Sequence, residues 1–127
     1  MIFGIGTDIV ETERIAKVVE RHGDHFLDYI LTDSERQEAG RRGGDRMQYI
    51  AGRWAAKEAV SKALGSGLGA RCAWRDIEIG SNAGGAPFVI LSGNGLETMQ
   101  MQKIARIFVS ISHERSHAIA MAVAEKE

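Results

Sequence analysis

RWAAKEAVSK, residues 53–62, is the stretch on which the fold turns. At about 100° per residue, Ala56, Ala59, Val60, Ala63 and Leu64 line up as one apolar stripe. Arg53 and Lys57 lie at its edge, and Trp54, Glu58, Ser61 and Lys62 occupy the other side. A helix this rich in small apolar residues is suited to burial. It begins after the break RRGGD, where Asp45 can cap it, and ends at Gly65 in GSGLG. One arginine, two lysines and one acid on such a helix admit two readings. The first is solvated ion pairing, of which Glu58 with Lys62 is an i,i+4 example worth ~0.2–0.5 kcal/mol. The second is a buried site in which the cations and loop N–H groups meet phosphate and the acid holds a metal.

Working outward, residues 2–10 alternate like a strand. Phe3, Ile5, Thr7 and Ile9 share one face; Ile2, Gly4, Gly6, Asp8 and Val10 share the other. Thr12 can cap a helix that runs through Ile15, Val18 and Val19 and stops at Gly23. Thr32 and Glu35 have capping-box spacing. Beyond the central helix, WRDIEIG and APFVIL read as strands joined by SNAGG. Asn94 or Thr98 can start a further helix. The closing RIFVSISHERSHAIAMAVA reads as two strands around a turn at Glu114–Ser116, with small Ala118, Ala120 and Ala122 on one side. The order β-α-α-α-β-β-α-β-β predicts an α+β fold, an antiparallel sheet packed with a long central helix, in one domain over residues 1–127.

Composition narrows the function. With 16 basic and 17 acidic residues the net charge is −1, without the basic excess of a nucleic-acid binder. One cysteine, Cys72, excludes an internal disulfide and fits a reducing compartment. The opening MIFGIGTDIVE has no basic region and does not read as a signal peptide, and no apolar run is long enough for a bilayer. A cytoplasmic location without membrane contact is expected.

Asp8 is the first candidate for chemistry, a carboxylate among apolar and glycine positions that is costly to desolvate without a compensating cation. Glu58 is the second. Two acids from separate elements, with water and substrate oxygens completing the shell, is a common way to hold magnesium. The loop GSGLG is no P-loop, because GxxxxGK[ST] is absent, and a helix C-terminus has the wrong polarity for an anion. His22, His25, His113 and His117 do not make a zinc pattern, and no GxSxG nucleophile is present. Arg14, Lys17 and Arg21 line one side of the first helix, with Glu13 and Glu20 on another; this is either a solvated face or a docking stripe for an acidic partner.

GTDIVE, followed about fifty residues later by RWAAKEAVSKALGSG, resembles the paired signature motifs of the 4′-phosphopantetheinyl transferases. Chain length, LTDSE, GGAPFVIL and SISHERSHAIAMAVA are similar to the short class, the holo-[acyl-carrier-protein] synthases, nearly end to end. The resemblance implies a 4′-phosphopantetheinyl transferase-like fold and a role in fatty acid biosynthesis. It implies transfer of phosphopantetheine from coenzyme A to a serine of apo acyl carrier protein, assisted by Mg2+. It further implies Asp8 and Glu58 as metal ligands and Lys62 as the group that stabilises phosphoryl charge. Arg46, Arg53, Gly65, Ser66 and His113 would bind the coenzyme, and Arg14, Lys17 and Arg21 would meet the acidic carrier. A homotrimer with active sites between subunits is implied as well. Two rival readings use the same residues: a magnesium-dependent nucleotide-diphosphate hydrolase, and a non-catalytic oligomeric nucleotide-binding module.

Overall fold

A computed structural model describes residues 1–127. Strand β1 (Ile2–Glu11) alternates as its sequence requires. Ile5, Thr7 and Ile9 are exposed, Gly6 and Val10 buried, and Asp8 half-buried beside them. It pairs antiparallel with β5 (His117–Lys126), which pairs antiparallel with β4 (Ile104–His113), in the order β1-β5-β4. The turn between β4 and β5 lies at Glu114–Ser116, closed by the Glu114 N–H donating to His117 O at 2.8 Å.

The inner face of this sheet is made for close approach. Ala118, Ala120, Ala122 and Ala124 of β5 are all buried on it. Gly4 and Gly6 of β1 bring no side chain at all, so the long helix α4 (Arg46–Ala63) lies directly on the strands. A Cβ at Gly6 would overlap the carbonyl of Ala59, and one at Gly4 that of Ala63. The glycine face of β1 therefore sets how near Asp8 comes to α4. The stripe Ala56, Ala59, Val60, Ala63 and Leu64 is fully buried, as the helical spacing predicts.

Four helices precede the second sheet, where three were expected. Helix α1 (Thr12–His22) stops at Gly23, whose φ of 56° suits glycine. Helix α2 (Asp24–Ile30) follows at once; only Leu27 and Ile30 are buried in its seven residues, too little periodicity for the sequence to announce. Helix α3 (Asp33–Arg41) carries the expected capping box from Thr32 and Glu35. The other start signals need correction. Glu11, not Thr12, holds the cap position of α1, and its side chain makes no cap hydrogen bond. Asp45 caps α4 by position only.

The strands β2 (Ile77–Ser81) and β3 (Pro87–Leu91) form the expected hairpin, with the Asn82 side chain accepting from Gly84 N and Ala86 N in the turn. Helix α5 (Gly93–Met101) starts after Ser92 rather than at Asn94 or Thr98. Thr98 instead donates its hydroxyl to Arg71 O at 2.7 Å. The result is an α+β fold with antiparallel sheets, and no helix is long and apolar enough to cross a membrane.

Candidate active site

The open row of α4 is Trp54, Glu58 and Lys62, one turn apart each, while every other residue of the helix from Tyr49 on is buried. That row meets β1 at Asp8. Lys62 Nζ donates to Thr7 O at 2.9 Å and stands 3.5 Å from Asp8 Oδ1. The Asp8 side chain is 16% exposed and that of Lys62 49%. Burial pushes both carboxyls above their ordinary range, and Glu58 is pushed further by the nearby charge of Asp8. Lys62 and Arg14 oppose the shift at each. Two desolvated, mutually repelling carboxylates with one half-exposed lysine between strand and helix form a site short of positive charge.

The donor set fits a hard divalent ion in its chemistry, since the two carboxylates and the adjacent Thr7 carbonyl are all oxygen ligands. No group of three or more His, Cys, Asp or Glu side chains is gathered anywhere in the chain, so water or substrate oxygens would have to complete the shell.

Other expected residues stand apart from this set. Arg46 opens α4, about 18 Å along the helix from Glu58 at 1.5 Å per residue. Arg53 is 7% exposed, stacks 4.4 Å over the Tyr49 ring and donates from Nη2 to Ser81 Oγ at 3.1 Å, while its Nε has no partner. His113 does not simply flank a turn. Its Nε2 is 3.1 Å from Gln48 O, and the ring packs on Gly52, where a Cβ would press into it. Arg46, Arg53 and His113 thus belong to the N-terminal half of α4, and Asp8, Glu58 and Lys62 to the C-terminal half.

The structure bears on two of the groups considered for phosphate. Lys57 is wholly buried, donating to Ile30 O at 2.6 Å, Glu35 Oε1 at 2.7 Å and Trp74 O at 3.1 Å, so it has nothing left for an anion. Three of the loop amides are also engaged. Gly65 N–H donates to Lys62 O, and the N–H groups of Ser66 and Gly67 both donate to Ser61 O. Gly65, with φ of 82°, and Ser66 shape the exit from α4, but their amides close the helix and form no anion cradle. Glu35 is the residue the sequence hid. Its second oxygen accepts from Ile79 N at 2.7 Å, so one carboxylate joins α3, α4 and β2. Its capping-box position was visible, its partners were not.

Arg14, Lys17 and Arg21 line a shallow depression on α1 together with Glu11, Glu13, Val18 and His22. Glu13 is not on a separate side; its carboxylate is 3.6 Å from Lys17 Nζ, with both side chains more than 70% exposed. Such a pair contributes little. Of these three cations, Arg14 and Arg21 make no ion pair.

Known proteins resemble this chain in sequence and fold. The model of the 4′-phosphopantetheinyl transferase superfamily matches residues 4–122. A holo-[acyl-carrier-protein] synthase of Shewanella amazonensis is 47% identical over 123 residues, covering 96% of this chain and 97% of that protein. One from Aliivibrio fischeri is 42% identical, covering 98% of each chain. Among solved structures, the holo-[acyl-carrier-protein] synthase of Neisseria meningitidis superposes with a TM-score of 0.93 at 39% identity, covering 99% of this chain and all of that one. The Bacillus anthracis synthase, solved in complex with CoA (3′,5′-ADP), gives 0.84 at 38% identity, covering 100% of this chain and 99% of its own.

Proposed function

Because this chain belongs to the 4′-phosphopantetheinyl transferase superfamily, as a transferase of the holo-[acyl-carrier-protein] synthase kind, we propose that it moves phosphopantetheine from coenzyme A to a serine of apo acyl carrier protein, with adenosine 3′,5′-bisphosphate leaving. The observation that carries this reading is the meeting of Asp8, Glu58 and Lys62 where β1 crosses α4.

Asp8 and Glu58 would hold magnesium, which when bound neutralises diphosphate charge and polarises the reacting phosphoryl group. Lys62, one turn beyond Glu58, reaches oxygens that gain charge as the bond to the leaving phosphate lengthens. The carrier serine must lose its proton. Glu58 or a water beside Asp8 takes it, and the water is the better base once Glu58 is committed to a cation. Arg46, Arg53 and His113 are assigned to the coenzyme's remaining phosphates, with the unpartnered Nε of Arg53 as the support.

The proposal extends to a homotrimer with the site between subunits, and the exposed face of the sheet supports it. Ile5, Ile9, Phe108, Ile119 and Met121 are 45–61% exposed on the sheet face turned away from α4. Ile9 and Ile119 also border the hollow that holds Asp8 and Lys62, so this apolar face reaches the mouth of the site. Sedimentation equilibrium should give three times the chain mass, and Ile9→Glu should shift it toward monomer; a wild-type monomer at micromolar concentration removes the interface.

The function itself is tested by mass spectrometry of apo carrier protein incubated with this protein, coenzyme A and magnesium. One phosphopantetheine group should be added, and release of adenosine bisphosphate without carrier would point to a hydrolase instead. In the same assay, Arg14→Glu with Arg21→Glu should raise the carrier KM about tenfold or more while coenzyme A affinity holds. Unaltered carrier kinetics would remove α1 as the docking face.

A further inference from the structure

The side chain of Lys62 is half exposed yet anchored at both of its reachable acceptors, Thr7 O at 2.9 Å and Asp8 Oδ1 at 3.5 Å. A backbone carbonyl and a carboxylate on consecutive residues are the ligand types a hard divalent cation takes. The ammonium thus stands where such an ion would compete for Asp8, and it faces β1. Glu58, on the same helix row, is not bonded to it, although its own carboxyl is only half-buried. One lysine cannot serve Asp8 and a phosphoryl oxygen in full at once.

We propose that Lys62 is an internal stand-in for the divalent ion: without metal it is latched to Thr7 O and Asp8, and it swings to the coenzyme's phosphoryl oxygens only when a cation takes over Asp8. The inference rests on the reading of Asp8 and Glu58 as the metal pair and adds an order of events. Metal binding comes first and releases the lysine, so coenzyme affinity depends on metal through Lys62 as well as through the ion's own charge. The Lys62–Asp8 contact is long at 3.5 Å and its lysine is half exposed, so a divalent ion with full charge on Asp8 can displace it.

The test is coenzyme A titration in EDTA and in magnesium, by calorimetry, on wild type, Asp8→Asn, Glu58→Gln, Lys62→Met and the two double variants with Lys62→Met. Both acid variants remove one negative charge, but only Asp8→Asn weakens the latch, leaving Thr7 O as the one anchor of Lys62. In EDTA, Asp8→Asn should bind coenzyme A about two- to fivefold more tightly than Glu58→Gln. In the Lys62→Met background that difference should vanish. If it persists, or is absent from the start, the latch is overturned while the metal-site reading stands. If wild type binds no coenzyme A with magnesium, the function reading falls and the latch with it. A second measurement needs no variant for its readout. The Lys62 ammonium signal in NMR, assigned through Lys62→Met, should shift when magnesium is added alone, and an unmoved signal overturns the latch.

Discussion

Glu58→Gln is expected to lower carrier modification by about 10²- to 10³-fold, the range for removing one preorganised charge-stabilising group, and Asp8→Asn to do the same or worse. Neither change should harm the fold. Burial holds both carboxyls above their ordinary values, and the charge of Asp8 raises Glu58 further in the folded chain. The folded state therefore holds their protons more tightly than the unfolded state does. Without metal, stability falls as pH rises from the ordinary carboxylate range through the raised values, and it stays reduced above them. A neutral amide at either position removes part of that fall. The thermal midpoint of each variant in EDTA at neutral pH should equal or exceed that of wild type. Adding magnesium should raise the wild-type midpoint by mass action and leave the variants unmoved. Near-wild-type turnover in either variant would sink the metal assignment, and a variant that unfolds in EDTA would mean that the carboxylates are structural.

Local pattern and long-range pattern divided sharply in how far they could be read. The face Gly4, Gly6, Asp8 on β1 and the alanines of β5 announce a close helix-on-sheet contact, because only missing side chains permit it. Thr32 and Glu35 announce a helix start three residues apart. Asp8 and Glu58, by contrast, are fifty residues apart, and spacing alone could not say that β1 crosses α4 at their level. The paired motifs of the family resemblance supplied that link, and the fold brings the two elements together. What stayed hidden is what depends on distant partners. The charge on Lys57 looked like a resource for phosphate because its acceptors, Ile30 O, Glu35 and Trp74 O, come from three other segments. The loop amides looked free because nothing in GSGLG says that Ser61 O will claim two of them.

Breaking the Lys57–Glu35 pair is expected to cost more stability than any other single substitution named here. The two side chains are 0% and 2% exposed and 2.7 Å apart. Lys57 has its three donors matched by three acceptors, and Glu35 accepts from Thr32 N and Ile79 N as well as from Lys57. Burial lowers the Lys57 ammonium below its usual range, with Glu35 pulling the other way, so the cation depends on its carboxylate for company. Lys57→Met fills the space with an apolar chain but strands the Glu35 charge, and removing one partner of a buried pair costs about 3–5 kcal/mol. Against the 5–15 kcal/mol typical of a whole domain, that is a large share. Urea denaturation should show it as a lower midpoint with the slope kept. Adding Glu35→Gln to Lys57→Met should restore a good part of the loss, because the amide removes the stranded charge and can still accept from Ile79 N. The two substitutions would then be strongly non-additive. A loss below about 1 kcal/mol in Lys57→Met, or plain additivity in the double variant, would show that α2, α3 and β2 are held to α4 by apolar packing alone and that the buried pair is dispensable.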